Sequence, residues 1–131
     1  MVIRLKRPEI GNEKGGYLYL SIHCNASENP DTDGVQIYYS DSCPSLKNMT
    51  NKELSSVYYE NIAELGLRKA GMVDNPRYIV IHKSKMPAII VENAFVSNEG
   101  DLELLMDDNF KTDLAAAICE ATITVLNKSV E

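Results

Sequence analysis

The chain has 131 residues, of which 44% are apolar and 24% charged, and its formal net charge is −6. This length and composition fit one globular domain with its own hydrophobic core. The acidic balance argues against general nucleic-acid binding, and the lack of a run of about 18 apolar residues predicts no membrane span. The first residues lack the apolar centre of a signal peptide, so we expect none in this chain. Three cysteines without a paired spacing predict free thiols.

The N-terminal part of the chain predicts strands separated by turns. Val2 to Leu5 is compatible with a short strand, and residues 8–16 with a polar loop that ends in two glycines. Residues 17–22 form a near-continuous apolar run, which predicts a buried strand. Turn-forming residues fill positions 29–34, and residues 35–39 predict the next strand.

The middle of the chain predicts a helix followed by two strands. Thr50 and Glu53 match a capping box, after which apolar residues recur at steps of three and four. Gly71 is expected at the end of this helix or just past it. The β-branched runs 78–81 and 88–91 predict two further strands.

Two helices are predicted at the C-terminal end. Asn98 can cap a short helix that runs to Met106, and the apolar period of residues 110–125 predicts a final amphipathic helix. The alternation of strands and helices, with strands apolar on both faces, predicts an α/β sheet covered by helices.

Two histidines are candidates for chemistry. His23 ends the predicted strand 17–22, and binding sites collect at the carboxyl ends of strands in open α/β sheets. A neutral imidazole there suits a zinc ion, whereas the structural alternative is a histidine that hydrogen-bonds a loop. His82 ends another predicted strand and can be a ligand, a substrate contact or a surface residue.

Glu92 directly follows the apolar run 88–91. A carboxylate at the end of a buried strand is costly unless it is paired or bound. Near a metal ion, Glu92 could take a proton from a bound water. The structural alternative is a salt bridge to Lys83 or Lys85.

Four sequence blocks follow one another over most of residues 17–126. They are Ser21-Ile22-His23-Cys24-Asn25-Ala26, Gly34-Val35-Gln36-Ile37-Tyr38-Tyr39, Lys85-Met86-Pro87-Ala88-Ile89-Ile90-Val91-Glu92 and Phe95-Val96-Ser97-Asn98. In order and spacing they resemble the zinc-dependent N-acetylmuramoyl-L-alanine amidases of the type-3 amidase family. The His-x-Asn-Ala block and the Met-Pro-Ala-(apolar)3-Glu block are specific when they occur together.

The resemblance implies an α/β fold with a mixed, mostly parallel sheet flanked by helices on both faces. Enzymes of this family cut the amide between N-acetylmuramic acid and the L-alanine of the stem peptide. Their zinc ion is held by two histidines and a glutamate, and a further glutamate activates the bound water. By the matching motifs, His23 is the second zinc histidine and Glu92 the catalytic glutamate, with Asn25, His82 and Lys85 as candidate substrate contacts. Asn93 stands where the family often has a small residue.

The first part of the family's metal site has no counterpart in the sequence. The resemblance places the first ligand histidine in a glycine-rich loop after the first strand, and the ligand glutamate on the next helix. The first strand and helix of the family fold are therefore expected to be absent, and residues 1–131 to form one partial catalytic domain. Glu9 and Glu13 have no predicted helical context that would match the missing ligand.

The resemblance thus implies a peptidoglycan hydrolase that uses zinc-activated water, from the bacterial envelope, the extracellular space or a phage lysin. This chain alone is expected to bind zinc weakly and to have little activity. One alternative is an inactive or fragmentary amidase-fold module that binds a partner or the cell wall; another is a different α/β hydrolase with a metal site built from His23 and His82. The sheet edge left open by the missing strand is expected to pair with another copy of the chain.

Overall fold

The computed structural model describes residues 2–130, with side chains from residue 5 onward. Helices and strands alternate over most of this length, as the α/β prediction requires. In chain order the elements are α1 Val2–Glu13, β1 Tyr19–Asn25, β2 Val35–Tyr39, α2 Asn51–Ala63, β3 Lys69–Asp74, α3 Ile79–His82, β4 Ala88–Phe95, α4 Glu99–Met106 and α5 Asp108–Val130.

The four strands form one sheet in the order β1-β4-β2-β3. β1 is parallel to β4 and β2 is parallel to β3, whereas β2 and β4 run antiparallel. The sheet is therefore mixed and mostly parallel, as predicted. β4 lies between two partners and is buried along nearly its whole length, which explains its continuous apolar sequence.

The main core lies on one face of the sheet, against α2 and α5. Along β2 the core residues alternate with half-buried ones, as the two-residue period of a strand requires. The apolar stripe of α2 is fully buried against them and includes Leu54, Tyr58 and Ile62. Full burial stabilises side chains of this size by about 1.5–3 kcal/mol each.

A smaller apolar cluster covers the other face. Ile81 of α3 is fully buried against Ala88 and Ile90 of β4. α1 packs on α3, and the Asn12 side chain fixes it there: its amide donates to Lys83 O (2.9 Å) and its oxygen accepts from Lys85 N (2.7 Å). Helices thus flank the sheet on both faces, as predicted.

Several predicted elements were correct. Thr50 and Glu53 form a reciprocal capping box at the start of α2, in which Glu53 N donates to Thr50 Oγ1 and Thr50 N to Glu53 Oε2 (3.1 and 2.8 Å). The Asn98 side chain caps α4 by accepting from Asp101 N. The strand at 35–39 and the final helix also lie where the sequence places them.

The prediction for the first residues was wrong. Val2–Glu13 is a helix with Pro8 inside it, not a strand followed by a loop. Pro8 is fully buried, so tertiary packing and the Asn12 hydrogen bonds outweigh the backbone bond that proline removes. Glu9 and Glu13 therefore do lie on a helix.

Three further predictions were wrong. Residues 79–82 form a short helix, because a brief apolar run is equally compatible with a buried helical turn. Gly71 lies within β3, where its N–H donates to the Tyr59 hydroxyl (2.7 Å), and Gly66 is the glycine that follows α2. β1, predicted to be buried, is an edge strand with its last residues half-exposed or exposed.

Candidate active site

His23 and Glu92 lie side by side on neighbouring strands. They are direct partners in the parallel β1–β4 register, so their side chains leave the sheet on the same face. Both line one cleft of about 430 Å³, together with Ser21 and Ile90. The predicted shared cleft is therefore confirmed, although neither residue ends its strand, since β1 continues to Asn25 and β4 to Phe95.

Glu92 is half-buried and only partly satisfied. Its Oε2 atom is buried and has no hydrogen-bond partner among the side chains and backbone that the structure describes. Burial raises the pKa of Glu92, and the neighbouring His23 opposes the rise. The alternative salt bridge is not formed, because Lys83 and Lys85 are both exposed and the described ion pairs involve other residues. Glu92 is thus a carboxylate that readily accepts a proton.

His23 is exposed, and hydrogen bonds set its position. Its Nε2 atom lies 2.8 Å from Ser21 Oγ, two residues earlier on the same face of β1. Asn93 lies on β4 next to Glu92, and its side-chain amide donates to the His23 carbonyl oxygen (2.8 Å). The register of β1 shifts directly after His23. The Ser21 contact leaves Nδ1 as the ring nitrogen available to a ligand.

A polar network flanks Glu92 on β2. Gln36 pairs with Glu92 across the antiparallel β2–β4 ladder, and its Oε1 accepts from Asn25 Nδ2 (3.1 Å) and from the Tyr38 hydroxyl (2.8 Å). Burial, followed by the contact with Tyr78, raises the pKa of Tyr38 to about 12. Asn25, a predicted substrate contact at the end of β1, is therefore held beside the site by its hydrogen bond to Gln36 of β2.

The other predicted contacts lie outside the cleft. His82 is exposed at the end of α3, and Lys85 is exposed in the loop before β4. Neither lines the cleft that contains His23 and Glu92. The hypothesis of a metal site built from His23 and His82 therefore finds no support in their placement.

Sequence reasoning missed one wall of the cleft. Arg7 of α1 forms one part of this wall. The other part is formed by Arg77 and Tyr78, which directly precede α3, and by Ile79 and Val80 in its first turn. Residues 2–5 and 78–81 were predicted to be strands and residues 8–16 a loop, so no pattern pointed the side chains of this wall towards Glu92. The helical fold of residues 2–13 and 79–82 is what brings this wall to the site.

The described residues do not fit a zinc ion by themselves. Residues 2–130 bring together no group of three His, Cys, Asp or Glu side chains that could hold a metal. A zinc site in a protein needs three or four such ligands. His23, with one ring nitrogen available, and the unpartnered oxygen of Glu92 supply only part of such a set.

The site thus consists of an accessible histidine and a half-buried glutamate side by side on one face of an α/β sheet. The chain belongs to the N-acetylmuramoyl-L-alanine amidase family Amidase_3, whose sequence model matches residues 3–124. The structure places His23 and Glu92, the two site residues that the sequence resemblance implied, at one cleft.

Individual relatives agree with this assignment. The chain is 33% identical over 108 residues to the N-acetylmuramoyl-L-alanine amidase LytC of Bacillus subtilis, covering 82% of this chain and 21% of LytC. It is 27% identical over 123 residues to the endolysin of Bacillus phage SPP1, covering 94% of this chain and 45% of the endolysin.

Solved structures show the same fold. The catalytic domain of CwlV, an N-acetylmuramoyl-L-alanine amidase from Bacillus (Paenibacillus) polymyxa, superposes with a TM-score of 0.81 at 26% identity. The N-acetylmuramoyl-L-alanine amidase of Clostridium difficile 630 superposes with a TM-score of 0.82 at 26% identity. Each match covers 94% of this chain but 65% of the other, so about a third of each of those domains has no counterpart here.

Proposed function

We propose that the chain forms part of the catalytic domain of a peptidoglycan amidase, which hydrolyses the amide between N-acetylmuramic acid and L-alanine. One observation carries the proposal: a half-buried carboxylate with an unpartnered oxygen lies beside an accessible histidine in one cleft. The family assignment supplies the reaction class, and these two side chains suit it.

Glu92 acts as the general base in this proposal. It takes a proton from the attacking water and delivers it to the amine that leaves when the amide C–N bond breaks. Burial raises its pKa towards the range in which such a transfer is efficient. A positioned general base is typically worth about 10²–10⁴-fold in rate.

His23 would hold a zinc ion as one of its ligands, and its contact with Ser21 would orient the imidazole ring for this role. When bound, the ion would make water more acidic and polarise the scissile carbonyl. The described residues would supply only part of a zinc ligand set, and the chain matches 65% of the CwlV catalytic domain.

Substrate contacts are proposed in order of their distance from Glu92 along the sheet. Asn25 is the first, because it lies at the end of β1 next to Gln36. His82 and Lys85 can meet only parts of a polymer that extend beyond the cleft, since both are exposed outside it.

The place of action follows from the substrate. We propose that the protein acts on the cell wall, either in the bacterial envelope or as a phage lysin; the relatives include a bacterial amidase and a phage endolysin. Within residues 2–130 no helix is both long and apolar enough to span a bilayer. Pairing of two copies through the open edge of β1 is a further proposal.

A non-catalytic module that binds the wall is the second candidate. The two candidates differ in whether the site of Glu92 can perform hydrolysis once the rest of the domain is present.

A chimera tests the choice. The chain would be preceded by the segment of the CwlV catalytic domain that this chain does not match, and release of L-alanyl peptides from muramoyl peptides would be measured. Zinc-dependent release that falls by about 10²–10⁴-fold in Glu92→Gln, with zinc content unchanged, is the expected result. His23→Ala should lose zinc and activity together. A folded, zinc-loaded chimera without hydrolysis would favour the binding module instead.

A further inference from the structure

Two arginines line the cleft that holds His23 and Glu92. Arg7 projects from α1, and Arg77 lies just before α3. The chain has four arginines and a net charge of −6, so half of its arginines are concentrated at one small cavity.

Neither arginine side chain forms an ion pair with the side chains that the structure describes. Both side chains are exposed, and the ion pairs among residues 5–130 use other cations: Arg68, Lys69 and Lys111. Nor do they neutralise the acid of the cleft, because His23 is the described residue whose charge opposes the rise in the pKa of Glu92. The two guanidinium groups therefore have donors free for a ligand.

The scaffold holds the two arginines on one wall. α1 and α3 pack against each other, and the side chain of Asn12 ties α1 to the backbone at Lys83 and Lys85. The neighbouring Tyr78, Ile79 and Val80 give the same wall an apolar surface. A charged end beside an apolar wall suits a short peptide that carries an acidic group.

We propose that Arg7 and Arg77 bind a carboxylate of the stem peptide, so that the site prefers peptides with free carboxylates over amidated ones. This inference rests on the proposed function, which makes a peptide on L-alanine the substrate. The forked donors of a guanidinium match the two oxygens of a carboxylate and recognise it more strongly than they do a neutral amide. The arginines are binding residues in this proposal and take no part in proton transfer.

Calorimetry on the full chain tests the inference without requiring hydrolysis. The probes are N-acetylmuramoyl-L-alanyl-D-glutamate and its diamide, which differ only in charge and hydrogen bonding at the two carboxyl groups. We expect the diacid to bind at least about tenfold more tightly, as one charge-assisted interaction allows. Arg7→Gln and Arg77→Gln should each reduce that ratio, and the double variant should bring it close to one.

Two controls make the result specific. Arg77→Lys keeps the positive charge but removes the forked pair of guanidinium donors, so it should retain part of the preference for the diacid over the diamide. Arg68→Gln removes an exposed arginine outside the cleft and should leave the ratio unchanged. Equal binding of both probes, unaffected by Arg7→Gln and Arg77→Gln, would overturn the arginine assignment and leave the amidase proposal standing. If neither probe binds, the proposed substrate itself is contradicted.

Discussion

At the scale of single residues, the burial of the Glu92 carboxyl costs folding free energy. Its buried oxygen lacks a partner and its pKa is raised, mainly by burial. A carboxyl whose pKa is raised in the folded state destabilises the fold once it ionises. Proteins keep such a residue where the reactivity of the group is needed.

The first prediction is that Glu92→Gln stabilises the metal-free chain at neutral pH. Below the pKa of glutamate in the unfolded chain, Glu92 is protonated in both the folded and the unfolded state, and the cost of burying its charge vanishes. As the pH rises through the higher folded pKa, the penalty grows to its full value. The melting-temperature gain of Glu92→Gln should therefore be largest at pH 7 and shrink towards zero below about pH 4.

The control is Glu120→Gln, which removes an exposed carboxyl from α5. Thermal unfolding followed by circular dichroism from pH 3 to about pH 8 covers the range in which glutamates titrate. A Glu92→Gln variant that is less stable than the wild type at pH 7 would show that the carboxylate has a stabilising partner.

His23 and Glu92 could be predicted because the motifs around them lie on strands, where the register fixes which side chains are neighbours. Arg7 and Arg77 could not, since their position depends on two helices that the apolar patterns did not indicate. The substrate contacts show the same limit: Asn25 lies on a strand beside the site, whereas His82 lies on the short helix and outside the cleft.

At the scale of elements, Gly34 fixes the junction between the loop and β2. Its backbone has a φ of 95°, and its N–H donates to the buried Asp101 carboxylate (2.7 Å). A Cβ atom at this position would lie 2.0 Å from the Arg68 carbonyl oxygen, which accepts from Val35 N. Position 34, directly before β2, therefore has no room for a side chain.

The second prediction compares Gly34→Ala with Gly66→Ala. Both residues have a φ of 95°, but the space around Gly66 is open. Each substitution should lower the free energy of unfolding by about 1–2 kcal/mol, because alanine disfavours the left-handed backbone. Gly34→Ala should lower it by about 1–3 kcal/mol more, because its Cβ atom clashes with the Arg68 backbone. Urea unfolding of both variants measures the difference. Equal losses would show that the Arg68 backbone moves aside without cost.

Elements with their own local signals were predicted well. The capping box of α2, the asparagine cap of α4 and the alternation of β2 each follow from nearby residues. The predictions for the segments that form α1, α3 and β3 were wrong because their structure depends on distant partners. β3 is an edge strand that contains Gly71 and shows no strong apolar run, so its pairing with β2 decides its conformation.

At the scale of the whole molecule, β1 leaves one edge of the sheet open. It is the first strand in the order β1-β4-β2-β3, and Ile22 is 56% exposed although its partner Val91 is fully buried. An exposed apolar edge strand is a ready partner for another strand.

The third prediction is that the chain self-associates through this edge. The wild-type chain should show concentration-dependent dimers in sedimentation velocity, and Ile22→Lys should shift it to monomers. Leu102→Lys, at an apolar residue of α4 that is 41% exposed, is the matched control and should leave the association unchanged. A monomeric wild type at all concentrations would contradict the proposal.

The strand order also has a consequence for biosynthesis. β1 pairs with β4, which is translated after β2, α2, β3 and α3. At roughly 5–20 residues per second, a ribosome leaves β1 without its partner for a time on the order of seconds. The sheet can therefore close only late in translation, and until then β1 is a segment on which a chaperone or a neighbouring nascent chain can act.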